Sequence, residues 1–359
     1  MTGRPPGDMA EVPRVLFVVP TFNRAADLPR TIGAIAAQDW PDDRKAILVV
    51  DNSSTDDTAA VLASLAQSIA CPLEHLVKAP EGPTVARNLG IARGQDGLVA
   101  LVDSDVELDP GWTRAAAAAL LADPGLAMAG GPLVYGHDPG LVNSYGGATG
   151  FLGLSWDREE GHALDAAAEP RDVLWLSTSA VLLRPIPVLA AGGYDEQFFL
   201  AYEEPDLGLR LALAGWRARV VPGAVARHHV VLLEGQLRPE MIIHVTKNRI
   251  RMGMKVWGPA RLVGFLLLNA AFSVVDVLLR APRAARLRGV WWNVVHIGDT
   301  LRLRQAAQAA RRVPDAVVAR QLDARWFPPT RLRGQRRRPV RGMRSASGPD
   351  DRFVAGDSP

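Results

Sequence analysis

Two aspartates one residue apart, Asp103 and Asp105 in "ALVDSDVELDPGW" (Ala100–Trp112), are the pair in this sequence best suited to holding a divalent ion. On an extended strand end, residues i and i+2 point the same way. Two carboxylates on one side make a hard-oxygen site of the kind that suits Mg2+ or Mn2+. Asp-x-Asp alone is equally a solvated turn, so its surroundings have to decide. Asp103 ends the apolar run "LVALVD" (Leu98–Asp103), and Asp51 ends another, "AILVVD" (Ala46–Asp51). Far along the chain, the adjacent pair His228-His229 follows a strand-like run and offers ring nitrogens.

The elements that must position these groups are legible from periodicity. "VLFVVP" (Val15–Pro20), Ala46–Asp51 and Leu98–Asp103 are near-continuously apolar, as strands buried on both faces are, and "LEHLVK" (Leu73–Lys78) is a weaker strand. Between them, Leu28, Ile32 and Ile35 recur at helical spacing. A second helix opens at the cap-rich "SSTDDT" (Ser53–Thr58) and carries Val61, Leu62 and Leu65. This alternation predicts an α/β fold with a doubly wound, mostly parallel sheet. Such sheets bind ligands beyond the carboxyl ends of their strands, where Asp51 and Asp103 fall. No internal repeat is present.

With 359 residues, the chain is long enough for a catalytic domain and an appendage. One cysteine, Cys71, excludes a disulfide framework and a thiolate zinc cluster, and points to a reducing, cytoplasmic setting. No secretory signal is expected at the N-terminus, because its apolar run is short and follows acidic residues. Charge is divided unevenly: residues 233–359 carry 24 Lys+Arg against 9 Asp+Glu, and residues 1–232 carry 17 against 29. An acidic front suits metal and sugar, while a basic back suits phosphates.

"VVPTFNRAADLPRTIGAIAAQDWP" (Val18–Pro41), "VVDNSSTDDT" (Val49–Thr58), "GPTVARNLGIA" (Gly82–Ala92) and the Asp-Ser-Asp segment occur in an order and spacing that closely resemble family 2 glycosyltransferases. "STSAVLLRP" (Ser177–Pro185) and Gly192–His229 resemble the acceptor half of the same domain. The resemblance covers roughly residues 13–255 and the Trp-Trp-Asn segment at Trp291. It implies the GT-A nucleotide-sugar-binding fold over 13–232, after a flexible leader at 1–12. It implies roles residue by residue. Thr21, Asn23, Arg24, Asp51, Arg87 and Asp103 would bind the nucleotide sugar. Asp105, with Asp103 and His228 or His229, would hold Mg2+ or Mn2+. "YEEPDL" (Tyr202–Leu207) matches the Glu-Asp-x-Asp-Leu motif, so Glu204 would be the general base. Glu stands there in place of the usual Asp, and Pro205 follows it. Gly193, Tyr194, Asp195 and Glu203 would bind the acceptor. Asp206 and Arg210 suit a structural (i, i+4) pair. One base with direct displacement implies inversion at the anomeric carbon.

Beyond Gly235 the chain becomes basic and helical: a helical, membrane-associating extension is expected over 233–312, and a mostly disordered basic tail over 313–359. Leu262–Leu279 contains one charge, Asp276, and sits at the lower edge of membrane-spanning length. Asn269 and Asp276 disfavour a span. An amphipathic helix on an anionic membrane surface, with Arg280, Arg283, Arg286 and Arg288 toward headgroups, competes with a buried helical cap. The expected partners are a nucleotide-diphosphate sugar donor, a glycan or polyprenyl-linked acceptor, and peripheral contact at the inner face of the plasma membrane. No specific nucleic-acid motif is present. A nucleotidyltransferase leaves "YEEPDL" unexplained, and a catalytically degenerate sugar-nucleotide binder is the remaining alternative.

Overall fold

The computed structural model describes residues 12–165, 168–230 and 238–329. The leader before Val12 and the tail from 330 onward lie outside the described residues. The apolar runs form β1 (Val15–Thr21), β2 (Lys45–Asp51), β3 (Leu73–Val77) and β4 (Leu98–Val102), within a residue or so of their sequence bounds. Between them lie α1 (Leu28–Ala36), α2 (Thr58–Ser68) and α3 (Pro83–Arg93). β1 pairs in parallel with both β2 and β4, and β2 with β3. Pro20 is tolerated in the central β1 because β4 has already parted from it after Val18.

Residues alternate between two cores along these strands. Phe17, Val19, Ile47, Val49, Ala100 and Val102 face one layer. Val18, Leu48, Val50, Val99 and Leu101 face the other. Each fully buried aliphatic or aromatic side chain here contributes about 1.5–3 kcal/mol. Cys71 and Trp112 belong to the first core, so Trp112 is a packing residue.

The second half of the domain makes the sheet mixed. Its elements are β5 (Val106–Leu108), α4 (Trp112–Ala122), β6 (Leu126–Gly130), β7 (Leu133–Tyr135), β8 (Asp138–Ser144), β9 (Gly147–Thr149), β10 (Ser155–Asp157), β11 (Arg171–Val173), β12 (Ala180–Leu183), α5 (Pro185–Ala190), α6 (Glu203–Leu213), β13 (Arg217–Val220) and β14 (Ala226–His228). The main sheet runs β11-β13-β6-β12-β4-β1-β2-β3, with β12 antiparallel to both β4 and β6. A smaller sheet runs β5-β14-β7-β8. Gly131 permits its close approach, since a Cβ there would lie 1.7 Å from the Ala224 carbonyl oxygen.

The C-terminal layer consists of α7 (Pro239–Val256), α8 (Pro259–Leu279), α9 (Arg283–Val295), α10 (Ile297–Ala309) and α11 (Asp315–Ala319). The expectation of disorder from 313 is corrected for residues 313–329. Val318 is fully buried, the Asp323 N–H donates to the Thr149 carbonyl, and Arg312 donates to that of Leu213. These bonds strap the segment to the catalytic domain. The basic run Lys247–Lys255 lies in α7 and is turned inward. Arg251 and Lys255 are buried, and both pair with Asp195 at 2.8 and 2.6 Å. Lys255 also reaches Asp206 at 2.7 Å, and Arg210 pairs with Asp206 at 2.6 Å, the expected (i, i+4) pair. Breaking a buried pair strands a charge, so Lys255→Ala lowers stability by about 3–5 kcal/mol in urea unfolding. Lys78→Ala, which breaks a solvent-exposed pair with Glu81, changes it by under about 1 kcal/mol.

Candidate active site

Asp103 and Asp105 do not share one face. The Val106 N–H donates to the Asp103 carbonyl at 3.1 Å, and this turn lifts Asp105 out of the pleat of β4. The Asp103 carboxylate accepts from Arg87 Nη2 at 2.8 Å and from Ser179 Oγ at 2.8 Å. Arg87 and Ser179 thus fix one oxygen each of the Asp103 carboxylate. Asp105 turns instead toward His228 Nε2, 3.4 Å from its Oδ1, and toward Arg24, 3.8 Å from its Oδ2.

The two histidines separate cleanly. His228 ends β14 and is paired with Val106 of β5. Its Nδ1 lies 2.9 Å from Asn143 Oδ1. A carboxamide oxygen accepts, so Nδ1 carries a proton, and Nε2 is the ring nitrogen turned toward Asp105. Burial disfavours charge on His228, yet contact with Asp105 outweighs it and raises the ring's pKa. Burial likewise opposes ionisation of Asp105, but His228 and Arg24 hold it below the usual carboxylate range. His229 Nε2 lies 3.1 Å from Glu107 instead, so the ring beside Asp105 is that of His228. Among the described residues, no group of three or more His, Cys, Asp or Glu forms a cage. An oxygen-nitrogen pair with open positions fits a divalent ion that shares its shell with substrate phosphates.

α6 begins at the acidic motif, with Glu203, Glu204 and Asp206 in its first turn, where the helix dipole favours them. Glu204 Oε1 accepts from Thr178 Oγ1 at 2.9 Å. Thr178 and Ser179 are neighbours, so two adjacent hydroxyls hold Glu204 and Asp103 side by side. Glu203 lies behind them, buried, with Oε1 3.8 Å from Arg87 Nη1. Burial and the neighbouring Glu204 push the Glu203 carboxyl up to about 8. Burial alone would lower the Arg87 pKa, but Asp103, Glu203 and Glu204 together raise it above its ordinary value.

The expected acceptor residues lie buried at the start and end of one segment. Tyr194 is 2% exposed, and its backbone is clasped on both sides by the Asn88 side chain. Gly193, at φ +63°, gives its carbonyl to Arg210. Asp195 is enclosed by Arg251 and Lys255, which hold it well below the carboxylate range against the effect of burial. Glu203 sits behind Arg87. All four are buried and engaged by the protein's own residues, from α3, α6 and α7.

The expected nucleotide residues gather at the carboxyl ends of β1 and β2. Thr21 Oγ1 is buried with no protein partner. Asn23, at φ +51°, accepts from the Thr55 N–H and donates its own backbone N–H to Ser54 Oγ. Ser54 Oγ donates onward to Asp51 at 2.6 Å, and His75 Nε2 lies 3.1 Å from the other Asp51 oxygen. Asp51 is therefore at the expected edge with its carboxylate already partnered. Sequence reasoning missed Ser54, Asn143, Thr178 and Ser179, which are polar residues near strand ends, and His75 in the middle of β3. It also missed Asp157 on β10, whose carboxyl burial raises to about 7, with Glu204 and Glu160 adding to the effect.

The mixed sheet between helical layers, with its carboxylates gathered at one edge, is that of a GT-A domain. Residues 16–158 match the family model described as glycosyl transferase family 2. The validoxylamine A glucosyltransferase of Streptomyces hygroscopicus subsp. jinggangensis is 29% identical over 242 residues, covering 62% of this chain and 56% of that protein. The N-acetylglucosaminyl-diphospho-decaprenol L-rhamnosyltransferase of Mycobacterium tuberculosis is 32% identical over 206 residues, covering 51% and 66%. The chain thus spans between a half and two thirds of the length of these relatives. A mannosyltransferase from Pyrobaculum calidifontis, solved with GDP-Man and Mn2+, superposes with TM-score 0.51 at 19% identity, over 83% of this chain and 85% of that one. At that identity the likeness concerns the fold. The chain belongs to glycosyl transferase family 2.

The raised Glu203 pKa has a stability consequence. A buried acid that binds its proton more tightly when folded stabilises the fold at low pH and loses that contribution as pH rises through about 8. Glu203→Gln, which keeps the shape without the titration, therefore gains in Tm over the native chain between pH 5 and 8.5. Parallel lines in a thermal-shift series over that range would refute the assignment.

Proposed function

We propose that this protein is an inverting glycosyltransferase, moving a sugar from a nucleotide-diphosphate sugar to a hydroxyl of a glycan or polyprenyl-linked acceptor in cell-surface polysaccharide synthesis. The observation that carries this reading is the arrangement of carboxylates at one sheet edge: Asp105 against His228, and Glu204 held by Thr178 next to the Ser179 that holds Asp103. Asp105 and His228 would hold Mg2+ or Mn2+. When bound, that ion supplies positive charge to the diphosphate leaving group, where negative charge grows as the anomeric bond breaks. Arg24, beside Asp105, adds a guanidinium on the same side. Arg87 and Ser179 fix Asp103 for the ribose. Glu204 takes the proton from the acceptor hydroxyl as it attacks, and Thr178 orients the carboxylate. A single base acting opposite the leaving group gives inversion.

A polyprenyl-linked acceptor is supported by the decaprenol-linked substrate in the name of the rhamnosyltransferase relative. The location is supported by α8, which among the described residues is the one helix long and apolar enough to cross a membrane. α8 is inverted: buried Asn269 bonds Arg249, and Asp276 pairs with Arg280 and Arg286. Leu267, Val274, Leu278 and Leu279 face outward. Trp291 on α9 is also exposed, and Arg283 and Arg288 flank the layer. We read residues 13–230 as the catalytic domain. Residues 239–329 would then be a layer lying on an anionic, cytoplasm-facing membrane surface.

Screening UDP-, GDP- and dTDP-sugars for metal-dependent turnover identifies the donor. With that donor, Glu204→Gln lowers kcat by about 10²–10⁴-fold, and NMR of the product finds the anomeric configuration inverted. Retention of configuration, or full activity in Glu204→Gln, would sink the mechanism. For the surface, Leu267→Glu with Leu278→Glu abolishes co-sedimentation with vesicles containing phosphatidylglycerol while leaving soluble-donor hydrolysis intact. Undiminished sedimentation would refute the membrane reading.

A further inference from the structure

The motif that carries Glu204 is entered through an unusual turn. Ala201 and Tyr202, the two residues before α6, both adopt left-handed φ, +64° and +72°. Neither is glycine, and L-residues with a Cβ avoid this region, so two in succession persist only if their surroundings impose it. Tyr202 cannot swing free, because it is buried in the core cluster that also holds Trp175, Met252 and Phe265.

α7 supplies the constraint. Asn248, fully buried in the middle of this helix, donates both amide hydrogens to the loop, one to the Leu200 carbonyl at 3.0 Å and one to that of Ala201 at 2.8 Å. Arg251 and Lys255 follow at i+3 and i+7 on the same stripe, and bind Asp195 at the beginning of the same loop. The stripe therefore grips the loop at both ends. Its two parts differ in what they control. The cations act on the loop's start and on the body of α6, and the carboxamide acts on the turn that aims Glu203 and Glu204. Asn248 Oδ1 is buried without a partner. An unpaired buried carbonyl is unfavourable, so a residue needed only for packing would be better as Leu.

We infer that Asn248 is a positioning residue for the acceptor-side carboxylate: its two hydrogen bonds from α7 hold the left-handed Ala201-Tyr202 turn, and so the reach of Glu204 to Thr178 and the acceptor hydroxyl. This rests on the reading of Glu204 as the base. A misplacement of about 1 Å in reacting geometry changes rate on the order of 10²-fold, so the effect belongs to kcat. The donor pocket is built from β1, β2, β4 and β14, which Asn248 does not touch, and nucleotide affinity is spared.

The test is Asn248→Leu, which keeps the volume and removes both donors. With the donor found in the panel, kcat falls at least tenfold while donor KM, and the affinity for UDP with Mn2+, stay within twofold. Adding Ala201→Gly, which adopts positive φ without steric strain, recovers most of the lost kcat, as no general loss of packing would. A companion, Ala201→Val in the native background, opposes the turn directly and reproduces the kcat defect even if Asn248→Leu does not fold. Native kcat in Asn248→Leu, failure of Ala201→Gly to rescue it, or native kcat in Ala201→Val each overturns the inference. Glu204→Gln separates the levels: if that variant is inactive while Asn248→Leu is normal, the base stands and the positioning role falls.

Discussion

One buried guanidinium makes the active-site edge of this sheet possible. Arg87 projects from α3 to within 2.8 Å of Asp103 and 3.8 Å of Glu203, with Glu204 adding to the field around it. Carboxyl groups crowded at one edge repel, and a low-dielectric setting magnifies the repulsion. The neighbourhood answers in two ways. Arg87 is held charged against its own burial, and Glu203 keeps its proton to about pH 8. Removing Arg87 would leave the carboxyls to neutralise themselves, and the cleft would lose the charge pattern its chemistry needs.

From that edge the two sides of the cleft are carried by different frameworks. The ion side depends on the small sheet. β5 and β14 are paired so that His228 meets Asp105, although the two residues lie more than a hundred positions apart. The acceptor side depends on α6, which is anchored by Thr178 in front and by α7 behind. A layer outside the matched family region thus reaches through Asp195, Asp206 and the Ala201-Tyr202 turn to the group that would take the acceptor's proton. Surface docking of that layer and geometry at Glu204 are physically connected through α7.

Strands β1, β2 and β4 were legible because burial on both faces demands unbroken apolar runs, and Asp51 and Asp103 because they interrupt those runs at the functional edge. The (i, i+4) pair Asp206-Arg210 followed from helical spacing alone. What periodicity could not reveal was direction. Nothing in "DSD" signals the turn that sends Asp103 to Arg87 and Asp105 to His228. Nothing in "HH" tells which ring meets Glu107. The acceptor-side segment shows the same limit: Asp195 is enclosed by Arg251 and Lys255 of α7, more than fifty residues later. The basic run Lys247–Lys255 likewise carries no sign of its partners, because Asp195 and Asp206 are distant in sequence. Residues 313–329 looked disordered by composition, and their order comes from tertiary bonds such as that from Asp323 to Thr149.

The central claim is that Asp105 and Glu204 perform separate tasks within one cleft. Calorimetric titration of UDP in the presence and absence of Mn2+, on Asp105→Asn and Glu204→Gln side by side with the native protein, tests it most directly. The account predicts that Asp105→Asn loses the metal-dependent part of nucleotide affinity, while Glu204→Gln binds UDP and Mn2+ as the native protein does and yet fails to transfer sugar. Equal loss of metal-dependent affinity in both variants, or in neither, would contradict it.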